Sequence, residues 1–239
     1  MAKMHSKLCG RTTVSSKIVG ALSQCAITED ALQACCGTLK FLAPKEYVHI
    51  EGDKLPHWNQ DGCVQFVTFR LADSLPQTKL QEYRRSREEW IVAHPKPWDR
   101  TMQLEYENLF CKVVDKWLDS GYGHCMLKDE RARKLVEDAI LFFNGDRYVI
   151  HAYVIMPNHV HVLLSPFKGN DIRSIVSSWK KFSAREINKL YNIQGPVWER
   201  ECFDHMIRNG EAYRATLEYI ADNPKGVPDG TYTLSQIGH

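Results

Sequence analysis

The chain has 239 residues, the size of one large domain with attachments, because single cores stop growing near ~250–300 residues. Hydrophobic residues make up 44% and charged residues 25%, a balance that excludes a wholly disordered or collagen-like chain. Net charge is only +2, so a nucleic-acid-binding surface would have to be local. No apolar run approaches the ~18–20 residues that span a bilayer, and no signal-peptide core follows the basic start, which reads as a soluble cytoplasmic protein. The cysteines Cys9, Cys25, Cys35, Cys36, Cys63, Cys111, Cys125 and Cys202 form no C-x-x-C pair and read as free thiols of a reducing compartment.

Residues 1–54 read as an extension, rich in Ser, Thr, Ala, Cys and Gly up to Gly37, with a short helix suggested only at Glu29–Cys36. Order begins near Leu55. Val64 to Leu71 alternates apolar and polar residues and predicts a strand, broken by Asp73 to Pro76. Helices are expected over Leu80–Ala93, ending before Pro95 and Pro97, and over Thr101–Leu118, ending before Gly121 and Gly123. A third runs from Asp129, as N-cap, to Asn144, with Ala132, Leu135, Val136, Ala139, Ile140 and Phe143 at helical spacing. Tyr148–Ile155 and His159–Leu164 read as consecutive strands joined at Pro157-Asn158. A helix follows over Asp171–Tyr191, then a short strand over Cys202–Arg208. Glu211–Asn223 reads as the last helix, stopped by Pro224, and 227–239 as an irregular tail. With Leu75–Leu127 taken as a helical insertion after the first strand, the domain over 55–226 is α+β, a ferredoxin-like βαββαβ sandwich with an added C-terminal helix.

Two features carry potential chemistry. His159 and His161 alternate on a strand, so both imidazoles leave the same face, as a metal pair or as two histidines of a polar face. Tyr219 and Asn223 are one turn apart on the last helix. A phenol is a nucleophile toward phosphodiesters and an amide oxygen is a metal ligand, while an ordinary amphipathic tyrosine gives the same pattern. Lys181, Arg185 and Lys189 form a basic row at i, i+4, i+8, suited to phosphates or to plain solvation. Trp198 and Phe203 are candidates to stack on unpaired bases.

The stretch His151-Ala152-Tyr153-Val154-Ile155-Met156-Pro157-Asn158-His159-Val160-His161-Val162-Leu163 resembles the His–hydrophobe–His motif of single-tyrosine HUH-class transposases. Gly195 to Arg200, Phe203-Asp204-His205, Arg208-Asn209 and Leu217 to Pro224 resemble, in order, the C-terminal half of the REP-associated tyrosine transposases. The resemblance covers roughly Leu55 to Gly226. It implies that His159, His161 and Asn223 hold a divalent ion, Mg²⁺ or Mn²⁺, and that Tyr219 is the nucleophile. It also places His205 nearby without a fixed role. The implied activity is cleavage and rejoining of single-stranded DNA beside a hairpin through a covalent 5′-phosphotyrosine. Two other readings stand beside it: a DNA-binding protein that no longer cuts, and a relaxase or replication initiator of the same catalytic class. Against the latter, no Gly-rich phosphate-binding loop is present. The sequence leaves a homodimer open.

Overall fold

The structure, a computed structural model, describes residues 39–43, 49–51, 57–95, 98–118 and 120–236. The helix expected at Glu29–Cys36 and the cysteines Cys9, Cys25, Cys35 and Cys36 lie outside the described residues. In chain order the elements are β1 (His49–Glu51), β2 (His57–Asn59), β3 (Gln65–Arg70), α1 (Gln77–Ala93), α2 (Arg100–Tyr106) and α3 (Lys112–Leu118). Then come α4 (Glu130–Leu141), β4 (Tyr148–Ile155), β5 (His159–Pro166), α5 (Ile172–Tyr191), β6 (Phe203–Met206), α6 (Gly210–Asp222) and β7 (Thr233–Gln236).

The main sheet is antiparallel and five-stranded, in the order β6-β3-β5-β4-β7. Its first four members are the fourth, first, third and second strands of a βαββαβ unit, the ferredoxin-like order. β1 and β2 form a separate two-stranded pair. The expected helix over Thr101–Leu118 is divided by a π-helical stretch, Glu107–Cys111, between α2 and α3. Residues 227–239, read as irregular, contain β7, which pairs along β4 from Ala152↔Gln236 to Ile155↔Thr233. The extension also reaches the fold: Val64 donates to the Lys40 carbonyl at 2.8 Å and Leu42 to the Ile207 carbonyl at 3.0 Å.

One sheet face is sealed by α4 and α5. Val67, Phe69, Leu71, Val160, Val162 and Leu164 meet Val136, Ile140, Ile175 and Trp179 in a single core. Burying Trp179 requires a partner for its indole N–H, which donates to the Tyr148 hydroxyl at 2.8 Å; that hydroxyl donates to the Ile140 carbonyl at 2.9 Å. The insertion has its own aromatic core of Leu80, Tyr83, Trp90, Trp98, Tyr106 and Phe110, with Phe203 of β6 packed against it. α6 lies on β4, β5 and β7. No helix among the described residues is long and apolar enough to cross a membrane. Cys63, Cys125 and Cys202 are free thiols.

Candidate active site

Alternation along β5 divides its side chains between two environments. Val160, Val162 and Leu164 point into the helix-covered core, so His159 and His161 must share the other face. Their ring centroids are 4.7 Å apart and neither ring is more than 1% exposed. Burial drives the His159 pKa down to about 3, with Asn223 pulling the other way. Burial, together with neighbouring His159, holds His161 well below its ordinary value. Both rings are therefore neutral at physiological pH and can offer lone pairs.

Each imidazole is anchored through Nδ1. That of His161 lies 2.7 Å from Thr68 Oγ1, and that of His159 lies 2.7 Å from Asn158 Oδ1. Phe66, two residues before Thr68 on the same face of β3, stacks on His161 with centroids 5.3 Å apart. Nε2 of each ring points away from these anchors, and that of His161 meets the Tyr219 hydroxyl.

The opposing wall is α6. Asn209 caps it by accepting from the Ala212 N–H at 2.8 Å. The helix buries Tyr213 and Ile220, which turns Tyr219 toward the histidines. Its hydroxyl lies 3.4 Å from His161 Nε2, and the residue as a whole is 36% exposed. Asn223 keeps helical angles (φ −55, ψ −40) although Pro224 follows, and its N–H donates to the Tyr219 carbonyl at 3.0 Å. The bias of a residue before proline is overridden by this hydrogen bond.

Two buried polar atoms make no hydrogen bond of ordinary geometry here, His159 Nε2 and Asn223 Oδ1, although the Asn223 side chain is near enough to His159 to favour its charged form. A buried imidazole nitrogen and a buried amide oxygen left in that state are costly unless something outside the chain satisfies them. Their chemistry suits a divalent cation. Among the described residues no three His, Cys, Asp or Glu side chains cluster as a metal site. What the chain could offer a cation here is two imidazole nitrogens and one amide oxygen.

The remaining candidates are distributed differently. His205, on β6, is exposed, and its ring centroid is 5.3 Å from that of Phe66, on the strand between it and the paired histidines. Phe203 is half-buried, with its ring 6.4 Å from Tyr83 of the insertion. Trp198, expected as a stacking platform, is a core residue: it is 6% exposed, packs on Phe69 at 4.9 Å and donates its N–H to Ser183 at 2.9 Å. Lys181, Arg185 and Lys189 are exposed on α5, which covers the sheet face opposite the histidines. Phe66, Thr68 and Asn158 were missed as site residues. The period-two pattern of the first strand contained the signal for the first two, because Phe66 and Thr68 share one face.

Residues 121–223 match the family model described as transposase IS200-like, a span that holds His159, His161, Tyr219 and Asn223. A REP-associated tyrosine transposase of Escherichia coli (strain K12) is 28% identical over 92 residues, covering 38% of this chain and 53% of that protein. An uncharacterised protein of Haemophilus influenzae (strain Rd KW20) is 30% identical over 113 residues, covering 37% of this chain and 59% of its own length. The chain thus spans between half and three-fifths of these curated relatives. A solved structure of a REP-associated tyrosine transposase bound to a REP hairpin aligns at a TM-score of 0.43 and 18% identity, over 73% of this chain and 74% of that one.

Proposed function

We propose, from the match of residues 121–223 to the IS200-like transposase model, that this protein is a transposase that cuts and rejoins single-stranded DNA beside a hairpin. The observation that carries the reading is the Tyr219 hydroxyl 3.4 Å from Nε2 of His161, one of the paired imidazoles. His159, His161 and Asn223 would hold Mg²⁺ or Mn²⁺, which when bound polarises a non-bridging oxygen of the scissile phosphate. Buried His159 Nε2 and Asn223 Oδ1, which make no hydrogen bond of ordinary geometry, support this donor set.

The chain's own residues then act as follows. The Tyr219 oxygen forms a bond to phosphorus as the bond from phosphorus to the 3′ oxygen breaks. The phenol gives up its proton to solvent as the new bond forms, and the departing 3′ oxygen takes one up to become a free hydroxyl. The 5′-phosphotyrosine conserves the phosphodiester, so a second 3′-OH can reverse the step and join strands. Phe66, packed edge-on against Tyr219 at 5.9 Å, and His161 hold the phenol in position, and positioning supplies a large share of the rate. His205, exposed on the same face, is proposed to contact the DNA and not the ion.

The test is incubation with hairpin-bearing single strands and Mn²⁺, followed by a search for a denaturant-resistant protein–DNA adduct. Wild type should form it; Tyr219→Phe should form none while binding the same strand within about twofold. An adduct retained in Tyr219→Phe would remove this residue from the chemistry.

A further inference from the structure

Asn158 sits at the tip of the β4–β5 hairpin, 2% exposed, and its side chain has three partners. Nδ2 lies 3.1 Å from the Leu118 carbonyl and 3.2 Å from the Tyr122 carbonyl. Carbonyl oxygens only accept, so both amide hydrogens are committed to them. The remaining atom, Oδ1, faces His159 Nδ1 at 2.7 Å and can only accept in turn. His159 Nδ1 must therefore be the donor. A neutral ring with its proton on Nδ1 has a bare Nε2, and Nε2 of His159 is a buried atom that makes no hydrogen bond of ordinary geometry. Neutral imidazole in water prefers the opposite arrangement, with the proton on Nε2, so the protein must impose this one. Thr68 cannot do the same for His161, because a hydroxyl serves equally as donor or acceptor.

We infer that Asn158 is a positioning residue that fixes the His159 tautomer and presents its bare Nε2 to the ion position, using the end of the helical insertion as its anchor. The inference deepens the proposed function and rests on it for the ion. The tautomer itself rests only on the hydrogen bonds. Leu118 closes α3 and Tyr122 lies in the loop after it, so one amide ties the insertion's exit to the histidine strand. The Asn158 backbone is held as well, its carbonyl accepting from the Leu71 N–H at 2.9 Å. Outer partners that orient a ligating imidazole commonly change metal affinity by about 10–100-fold when removed.

The test uses the full chain labelled with ¹⁵N-histidine, with the His159 signals assigned by comparison with His159→Gln. Long-range ¹H–¹⁵N spectra should show His159 with its proton on Nδ1. In Asn158→Ala the ring should shift toward the Nε2–H form, and Mn²⁺ affinity by calorimetry should fall about 10–100-fold. Asn158→Asp, which keeps the acceptor but loses both donors, should restore the Nδ1–H form. An Nε2–H ring in the wild-type protein overturns the inference, as does an Asn158→Ala protein with unchanged tautomer and Mn²⁺ affinity. A wild-type protein with the Nδ1–H ring but no Mn²⁺ binding supports the role of Asn158 and counts against the proposed metal site alone.

Discussion

Phe66 touches three rings of the candidate site: it stacks on His161, lies beside His205 and meets Tyr219 edge-on. Phe66→Leu keeps an apolar side chain and removes the flat surface, so adduct formation should slow by about tenfold or more, since displacements near 1 Å cost up to about 10² in rate. The measurement is single-turnover adduct formation; an unchanged rate would make Phe66 packing only. Trp198→Ala should instead cost about 3–5 kcal/mol in urea unfolding, as large core aromatics do. These two residues mark what single side chains reveal in a sequence. Fixed periods of two and four put His159 with His161, and Tyr219 with Asn223, on common faces, and only the resemblance singled those pairs out as a candidate site. Trp198 was misread because its partners, Phe69 and Ser183, come from distant segments that no local pattern connects. Asn158 read as a turn residue, which it is, but its three partners are known only from the fold.

Elements were legible where periodicity was long and caps were local. The cap at Asp129 is an example: its side chain accepts from the Arg131 N–H at 2.9 Å and from the Tyr191 hydroxyl at 2.8 Å, tying α4 to the end of α5. Hydrogen bonds from the Arg131 side chain and N–H, and from Tyr191, hold the carboxyl well below the usual carboxylate range. A depressed pKa in the fold means stability present in full above the unfolded value and lost progressively as pH falls from there to the folded value. Asp129→Ala should therefore cost about 1 kcal/mol at neutral pH. The gap in thermal midpoint from wild type should begin to narrow below about pH 4 and go on narrowing as pH falls further; a constant gap down to pH 2 would disprove the charge-dependent part. The elements missed are those with no period of their own. The π-helical Glu107–Cys111 differs from α-helix by one inserted residue, and β7 is a four-residue Thr-Leu-Ser-Gln strand whose only signature is the neighbour it pairs with.

Considered whole, the molecule puts its candidate chemistry and its basic helix row on opposite sides of one sheet. Neutralising the row in a Lys181→Gln, Arg185→Gln, Lys189→Gln variant should leave adduct yield within about twofold. A steep, salt-dependent loss would mean that the strand wraps around to α5. On the histidine side the insertion is held to the domain at Gly123, where φ is +88° and an added Cβ would lie 2.6 Å from the Asp73 carbonyl oxygen. Gly123→Ala should destabilise the protein by more than about 1 kcal/mol in chemical unfolding, because both the backbone angle and the contact forbid it. A further consequence lies in β7. It occupies the outer side of β4, whose amides and carbonyls would otherwise stand open along the sheet margin. A chain trimmed before Thr231 would present that margin to its neighbours as an adhesive template, and should show its loss first as concentration-dependent clumping in light scattering.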